Sequence, residues 1–399
     1  MNLSQISKTE KLYDTDAYAD TFDATVISCD KSRNNFEVVL DRTLFFPEAG
    51  GQSCDIGTIN GAAVKHVTES GNNIIHILEN PIEIGSHITG KINFEHRYRN
   101  MQHHSGEHIV SGIVHSEFGI ENVGFHLGKS DVTMDYNAEL TEEMLLKVEK
   151  LANRAIYKNI EIIAKYPDFD ELSAVEFRSK LEFAPGSAVR LIIIPGIDIC
   201  ACCAPHVVRT GEIGIIKFID FYKYKGGTRV HMLCGSDALA DYGAKHKTLS
   251  ALSATLSAKV FETNIAAQRL LDENSRLLSE INGLTKRLCA VISNDAIRTA
   301  APEKGICIFE QNISVGGMRM IANDVAEKCL FCAVFTRNAS SGTLNFIITA
   351  KNGFSAKHCL SILTEKFAAK GGGSDISVQG SVPDSDFVSE KAIKEALLL

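Results

Sequence analysis

The chain of 399 residues is 45% hydrophobic and 23% charged, the balance of a water-soluble globular protein. It is longer than one hydrophobic core usually serves, so two or three domains are expected. A net charge of -8 argues against a protein that coats nucleic acid without specificity, while leaving room for a basic patch that holds one RNA.

No apolar signal core opens the sequence at Met1 to Lys8, and no run is long enough to span a bilayer. A cytoplasmic protein with no membrane partner is expected. Its 11 cysteines should then be largely reduced, with Cys29, Cys289 and Cys359 as core filler.

Taken in order, residues 1–95 read as a small β-barrel. Ala24–Cys29, Phe36–Leu40, Asn73–Leu78 and His87–Ile92 are short β-rich runs, and Asp30–Asn35 is a turn signal between the first two. Thr43 opens a glycine-rich stretch, Phe45-Phe46-Pro47-Glu48-Ala49-Gly50-Gly51-Gln52. Its paired glycines suit a hairpin turn or a close backbone approach.

Residues 96–245 read as an α+β domain. Helical patterning begins near Arg97 and recurs over Thr141–Tyr157; strands return at Ala188–Ile194 and Ile213–Phe221. Within the first helix, His104 and His108 are four apart. Residues i and i+4 share a helix face, so both imidazoles can reach one ion. Cys202 and His206, also four apart, lie on a turn of small residues. Either half alone is an unspecific pattern. Together they supply the nitrogen and sulfur ligands of a tetrahedral zinc site, one ion per chain. Cys200 and Cys203 compete with Cys202, and spacing does not choose among them. His103 reads as a bystander, and Asp198 as a second-sphere orienting group or a turn cap.

Residues 246–292 read as a helical linker. Leu256, Val260, Thr263, Ala267, Leu270, Asn274, Leu277, Ile281, Leu284 and Leu288 repeat at spacings of four and three, a heptad seam that expects a partner. Residues 293–399 read as a C-terminal α/β domain, with strands at Ile306–Phe309, Leu330–Phe335 and Leu344–Thr349 and a helix over Lys357–Ala369. Lys370-Gly371-Gly372-Gly373 follows, where backbone N–H groups can approach a phosphate.

These motifs, in this order, resemble the editing half of alanyl-tRNA synthetase and its free-standing relatives, the alanyl-tRNA editing proteins of the long type. The family's His-x-x-x-His is matched by His104 and His108. Its Cys-x-x-x-His is matched by Cys202 and His206, followed by Val207 and Thr210-Gly211-Glu212-Ile213-Gly214. Its glycine-rich motif corresponds to Phe45–Gln52, with Phe46 for a tyrosine and Ala49 for a glycine. Cys202-Cys203-Ala204-Pro205-His206 stands where the synthetase has Cys-Gly-Gly-Thr-His. That keeps the ligand positions but not the contacts of the missing glycines and threonine.

The resemblance implies a zinc-dependent hydrolase that deacylates mischarged alanine tRNA, seryl or glycyl, with no aminoacylation domain upstream. Its site residues would be Thr43, facing the serine side chain, and Gln52. Gly50, Gly51, Asp198 and Lys370–Gly373 would be substrate contacts, and the C-terminal half would carry tRNA binding and homodimerisation. Two other readings are open. His104-Ser105-Gly106-Glu107-His108 fits the His-x-x-Glu-His pattern of inverted-motif zinc proteases, with Glu107 as base. A tRNA-binding protein with a purely structural zinc would use the same four ligands.

Overall fold

The structure, a computed structural model, describes residues 8–128, 131–179, 188–299, 301–338, 342–351, 353–383 and 388–398. Two compact units divide the chain, residues 1–250 and 251–399. Among the described residues, no helix is long and apolar enough to cross a membrane.

The first unit begins with a two-residue pairing of Glu10–Lys11 with Arg42–Thr43 and seven further strands: β1 (Thr21–Ser32), β2 (Asn35–Leu40), β3 (Gly57–Ile59), β4 (Ala62–Val64), β5 (His66–Ser70), β6 (Asn73–Leu78) and β7 (His87–Ile92). They form one sheet in the order β4-β3-β7-β1-β2-β6-β5. The two end strands, β4 and β5, are separated in sequence by Lys65 alone. The sheet must therefore curl until its edges nearly meet, which gives a nearly closed barrel. Alternation along β1 and β7 sends Phe22, Ala24, Val26, Ile88 and Ile92 into its core. Gly90 lets the sheet bend here, because a Cβ would lie 2.2 Å from the Phe22 ring.

Helix α1 (Phe94–Phe118) follows. Asn93 caps it by accepting from His96 N, and Gly119 ends it in the left-handed conformation at φ 66°. It is buried almost without interruption from Asn100 to Val114, which makes it the axis of the unit. Around it lie α2 (Glu142–Tyr157) and a four-stranded antiparallel sheet. The sheet runs β8-β9-β14-β13, with β8 (Asn122–Leu127), β9 (Val132–Tyr136), β13 (Ile216–Tyr224) and β14 (Gly227–Cys234). A three-stranded sheet of β10 (Ile163–Lys165), β11 (Leu191–Ile194) and β12 (Asp198–Ala201) completes the unit, with the short helix α3 (Phe169–Ala174) beside it in sequence. Met101, Ile109 and Val114 of α1, Val148 and Ala152 of α2, and Met134, Val230 and Met232 of the sheet share one core.

Helix α4 (Gly235–Leu256) contains the boundary between the units. The heptad seam is not one continuous helix. The chain leaves α4 at Leu256, Ser257 takes φ 49°, and α5 (Thr263–Arg298) begins after a short 3-10 turn at Val260–Glu262. Leu256 and Val260 thus belong to the break, where the left-handed residue stops the α-helical ladder.

The second unit is a five-stranded sheet, β15-β16-β17-β19-β18, with β15 (Gly305–Gln311), β16 (Phe331–Asn338), β17 (Thr343–Ala350), β18 (Lys370–Gly373) and β19 (Ser377–Pro383). Only β15 and β16 are parallel, and α6 (Val315–Ala326) joins them. Phe331, Ala333 and Phe335 face one core with α7 (Ala356–Phe367) and α8 (Glu390–Leu398). Cys332 and Val334 face a second core with α6 and the end of α5.

Candidate metal centre and its glycine hairpin

Four side chains converge in the first unit: His104, His108, Cys202 and His206, whose ligand atoms all lie within 4.8 Å of one another. Cys202 Sγ is 3.5 Å from His104 Nε2 and 3.4 Å from His206 Nε2. Each imidazole is held through its other nitrogen. His104 Nδ1 lies 2.7 Å from Gln52 Oε1, His108 Nδ1 lies 3.1 Å from Asp198 Oδ2, and His206 Nδ1 lies 2.9 Å from Ser105 Oγ. Outer partners of this kind fix the ring orientation and leave Nε2 for an ion. The donor types and spacing fit one metal ion.

Electrostatics agree. Burial pushes the His206 imidazole well below the ordinary histidine value, and the neighbouring His108 and His104 push the same way, so the ring is neutral. Burial would raise the Asp198 carboxyl, but hydrogen bonds from His108 and Arg178 override it and hold the group below the usual carboxylate range.

Two glycines of α1 allow close approaches, Gly106 to β14 and Gly112 to β12. A Cβ on Gly106 would lie 2.5 Å from Cys234 Sγ, and one on Gly112 would lie 2.7 Å from Asp198 Cβ. The second glycine lets β12 press against α1, so that Asp198 reaches His108. After β12 the segment carrying Cys202 and His206 has no regular structure and is pinned by Arg190, which donates to Cys202 O at 3.1 Å and Ala204 O at 2.8 Å. Val207 N donates to Ser105 Oγ at 3.3 Å.

The glycine-rich stretch is a hairpin turn that docks here. Ala49 and Gln52 exchange backbone hydrogen bonds, with Gly50 at φ 60° and Gly51 at φ 82°. That is the pattern of a type I′ turn, which requires positive φ at both central positions. The turn lies against β8: Leu127 N donates to Gly51 O at 2.7 Å, and a Cβ on Gly51 would stand 2.2 Å from Phe125 O. Gln52 is 1% exposed, and its Nε2 has no hydrogen-bond partner. At the base of the stretch Asp55 accepts from Phe46 N at 2.6 Å and pairs with the fully buried Arg97. Arg97 also donates to Leu44 O at 2.5 Å.

The remaining sequence candidates are placed as follows. Thr43 is fully buried, with its hydroxyl 2.9 Å from His76 Nε2 and accepting from Phe45 N. His103 faces away, bound to Arg99 O and accepting from Cys234 N. Cys200 groups with His108 and Asp198 in a second, overlapping set, and Cys203 is exposed. Glu107 is 3% exposed and accepts from Ser111 and Asn122. Lys370–Gly373 lies in the second unit as an exposed edge strand paired with β19. Ser105, Arg97, Arg178 and Arg190 were not singled out from the sequence. Each acts through partners remote in the chain, which no local spacing announces.

A His/Cys cluster built from a buried helix and an irregular loop, and tied to a glycine hairpin through Gln52, could hold one metal ion. Residues 5–96 match the model of the class II tRNA synthetases (A), and residues 189–231 match that of the threonyl and alanyl tRNA synthetase second additional domain. The chain resembles the free-standing alanyl-tRNA editing proteins over nearly its whole length. It is 26% identical over 397 residues to alanyl-tRNA editing protein AlaX-L of Pyrococcus horikoshii, covering 94% of each chain. To alanyl-tRNA editing protein Aarsd1 of Mus musculus it is 28% identical, over 80% of this chain and 82% of that one. To the alanine–tRNA ligase of Ignicoccus hospitalis it is 31% identical over 70% of this chain, which is 30% of the ligase.

Proposed function

We propose that the protein is a free-standing editing hydrolase. It cleaves the ester between a wrong amino acid, serine or glycine, and the terminal ribose of alanine tRNA. The observation that carries this reading is the convergence of His104, His108, Cys202 and His206 beside a docked glycine hairpin.

Zinc suits the four ligands. With bonds of about 2.0–2.1 Å to nitrogen and 2.3 Å to sulfur, neighbouring ligands of a tetrahedron stand about 3.6 Å apart, against the 3.5 and 3.4 Å seen from Cys202 Sγ. Bound there, the ion supplies Lewis-acid polarisation or an acidified water where a coordination position opens. The chain's own groups do the rest. Asp198 and Gln52 hold ligand rings in place. Gln52 Nε2, without a hydrogen-bond partner among the described residues, is a donor for the substrate carbonyl. His76 Nδ1 lies 3.1 Å from Val38 O, so its Nε2 accepts the Thr43 proton. Thr43 can then only accept from a ligand, and the hydroxyl of serine, absent in alanine, is a donor that would fit it.

The helical linker and C-terminal unit, within a four-part division at about residues 95, 245 and 292, serve tRNA binding and homodimerisation in this reading, and a cytoplasmic setting follows from it. On α5, Leu270, Leu277, Ile281, Leu284, Leu288 and Val291 are each at least 43% exposed, an apolar stripe for a second copy. Lys370–Gly373 offers an exposed strand edge to the tRNA backbone.

Four protein ligands also suit a closed structural site, which favours a non-catalytic tRNA-binding protein as the second reading. The protease pattern accounts for only two of the four converging ligands. A deacylation assay with seryl, glycyl and alanyl forms of alanine tRNA separates the readings. Release of serine by the intact protein, with alanine spared, is expected; binding without release supports the structural-zinc reading instead.

A further inference from the structure

The metal-ligand cluster has a rival in the same unit. His108, Asp198 and Cys200 form a second group that could hold a cation, and it shares His108 with the first. One ion cannot be served well by both sets. The group that distinguishes them is Arg178.

Its guanidinium grips both oxygens of Asp198, with Nε 2.7 Å from Oδ1 and a terminal nitrogen 2.8 Å from Oδ2. The side chains are 12% and 2% exposed. Planar two-point pairing of this kind fixes a carboxylate in direction as well as in charge. The remaining approach to Asp198 Oδ2 is taken by His108 Nδ1 at 3.1 Å. Arg178 is itself locked by backbone bonds to β12: its N–H donates to Ile199 O at 2.8 Å, and its carbonyl accepts from Ala201 N at 2.9 Å. The clamp thus comes from the same strand edge that carries Asp198 and Cys200. A cleft of about 550 Å³ is lined by Arg178 and Asp198, with Ser116 and Glu121, so the clamp itself borders open space.

We infer that Arg178 is a positioning residue that selects between the two sets. It occupies the lone pairs of Asp198 with a cation of the chain's own, keeps that carboxylate in the role of acceptor for His108, and confines the metal to His104, His108, Cys202 and His206. The inference rests on the metal site proposed above. Removing Arg178 leaves a buried carboxylate with only the His108 hydrogen bond to offset its charge, and a divalent cation is a natural replacement.

The test is Co²⁺ titration of the metal-stripped full-length protein, read by thiolate-to-cobalt charge-transfer absorption and by bound metal per chain. The unaltered protein should bind one equivalent; if it binds none, the metal-site reading fails, independently of Arg178. Arg178→Ala should bind a second, weaker equivalent, and affinity at the first site should fall about 10–100-fold, the usual cost of losing an outer-sphere partner. The added equivalent should vanish in Arg178→Ala/Cys200→Ser. One equivalent with unchanged affinity and spectrum in Arg178→Ala overturns the inference. If the alanine variant does not fold, Arg178→Gln decides. It keeps much of the side chain without the charge or the two-point fork, so a second equivalent supports the clamp and its absence overturns it.

Discussion

Gln52 Oε1 lies 2.7 Å from His104 Nδ1, and this contact ties the barrel's glycine hairpin to the central helix. It makes the hairpin part of the His/Cys cluster rather than a neighbour of it. Removing the side chain in Gln52→Ala should lower metal affinity about 10–100-fold, measured by competition with a chelator. Gln52→Glu keeps the acceptor but loses the N–H, so it should retain metal and lose deacylation. Equal loss of metal in both variants would show that Gln52 acts only through His104.

The two glycines of the turn should respond differently. Both have positive φ, which costs an L-residue roughly 1–2 kcal/mol. Gly50 has open space around its Cβ position, whereas on Gly51 a Cβ collides with Phe125 O. Gly50→Ala should therefore lose about 1–2 kcal/mol in denaturant unfolding and keep activity. Gly51→Ala should undock the hairpin and lose serine release.

Thr43→Val removes the hydroxyl donated to His76 and leaves a buried ring nitrogen unpaired. A stability loss of about 1–3 kcal/mol is expected. If Thr43 reads the serine hydroxyl, the ratio of seryl to alanyl deacylation rates should narrow, chiefly through slower serine release. An unchanged ratio moves the discriminating contact to Gln52.

His76 makes a pH prediction. Its complete burial pushes the imidazole down to about 4 from the ordinary 6.5, the Val38 carbonyl opposing this only in part. The folded state therefore holds the ring neutral while the unfolded chain protonates it. The resulting stability is complete above pH 6.5 and is lost as pH falls from 6.5 toward 4. The gap is worth about 3 kcal/mol. Urea unfolding at pH 7 and pH 4.5 should show the decline, and His76→Phe should flatten it.

The α5 stripe predicts self-association. Leu277→Lys with Leu284→Lys should convert a dimer to a monomer in sedimentation experiments without changing the zinc content. A strictly monomeric unaltered protein would remove the basis for this assignment.

Much of the architecture was legible because it is local. The His104/His108 spacing lies on one helix, and the strand runs around the barrel alternate as a half-buried sheet must. The seam allowed either a long helix or a helical hairpin, and the place of the break between α4 and α5 was hidden, since Leu256 and Val260 keep the heptad rhythm through a segment whose backbone leaves the helix. Helix α6 was not read from the sequence: Gly316 and Gly317 stand in its first turn, where Ser314 caps it by accepting from Gly317 N. The supports of the site were illegible for another reason. Ser105 meets His206 across 101 positions and Arg97 meets Asp55 across 42, and only the folded chain puts such partners side by side.

His104 and Cys202 are 98 residues apart, and this separation has a consequence during synthesis. At roughly 5–20 residues per second, the histidine pair precedes its partners by about 5–20 s. For that interval the nascent chain presents half a chelate, open to any soft or borderline ion nearby. The glycine hairpin, already made, can steady His104 through Gln52 once β8 arrives, well before Cys202. In the proposed reading, metal capture by all four ligands closes a long loop, so a loaded centre certifies that the barrel, the central helix and the loop have all assembled.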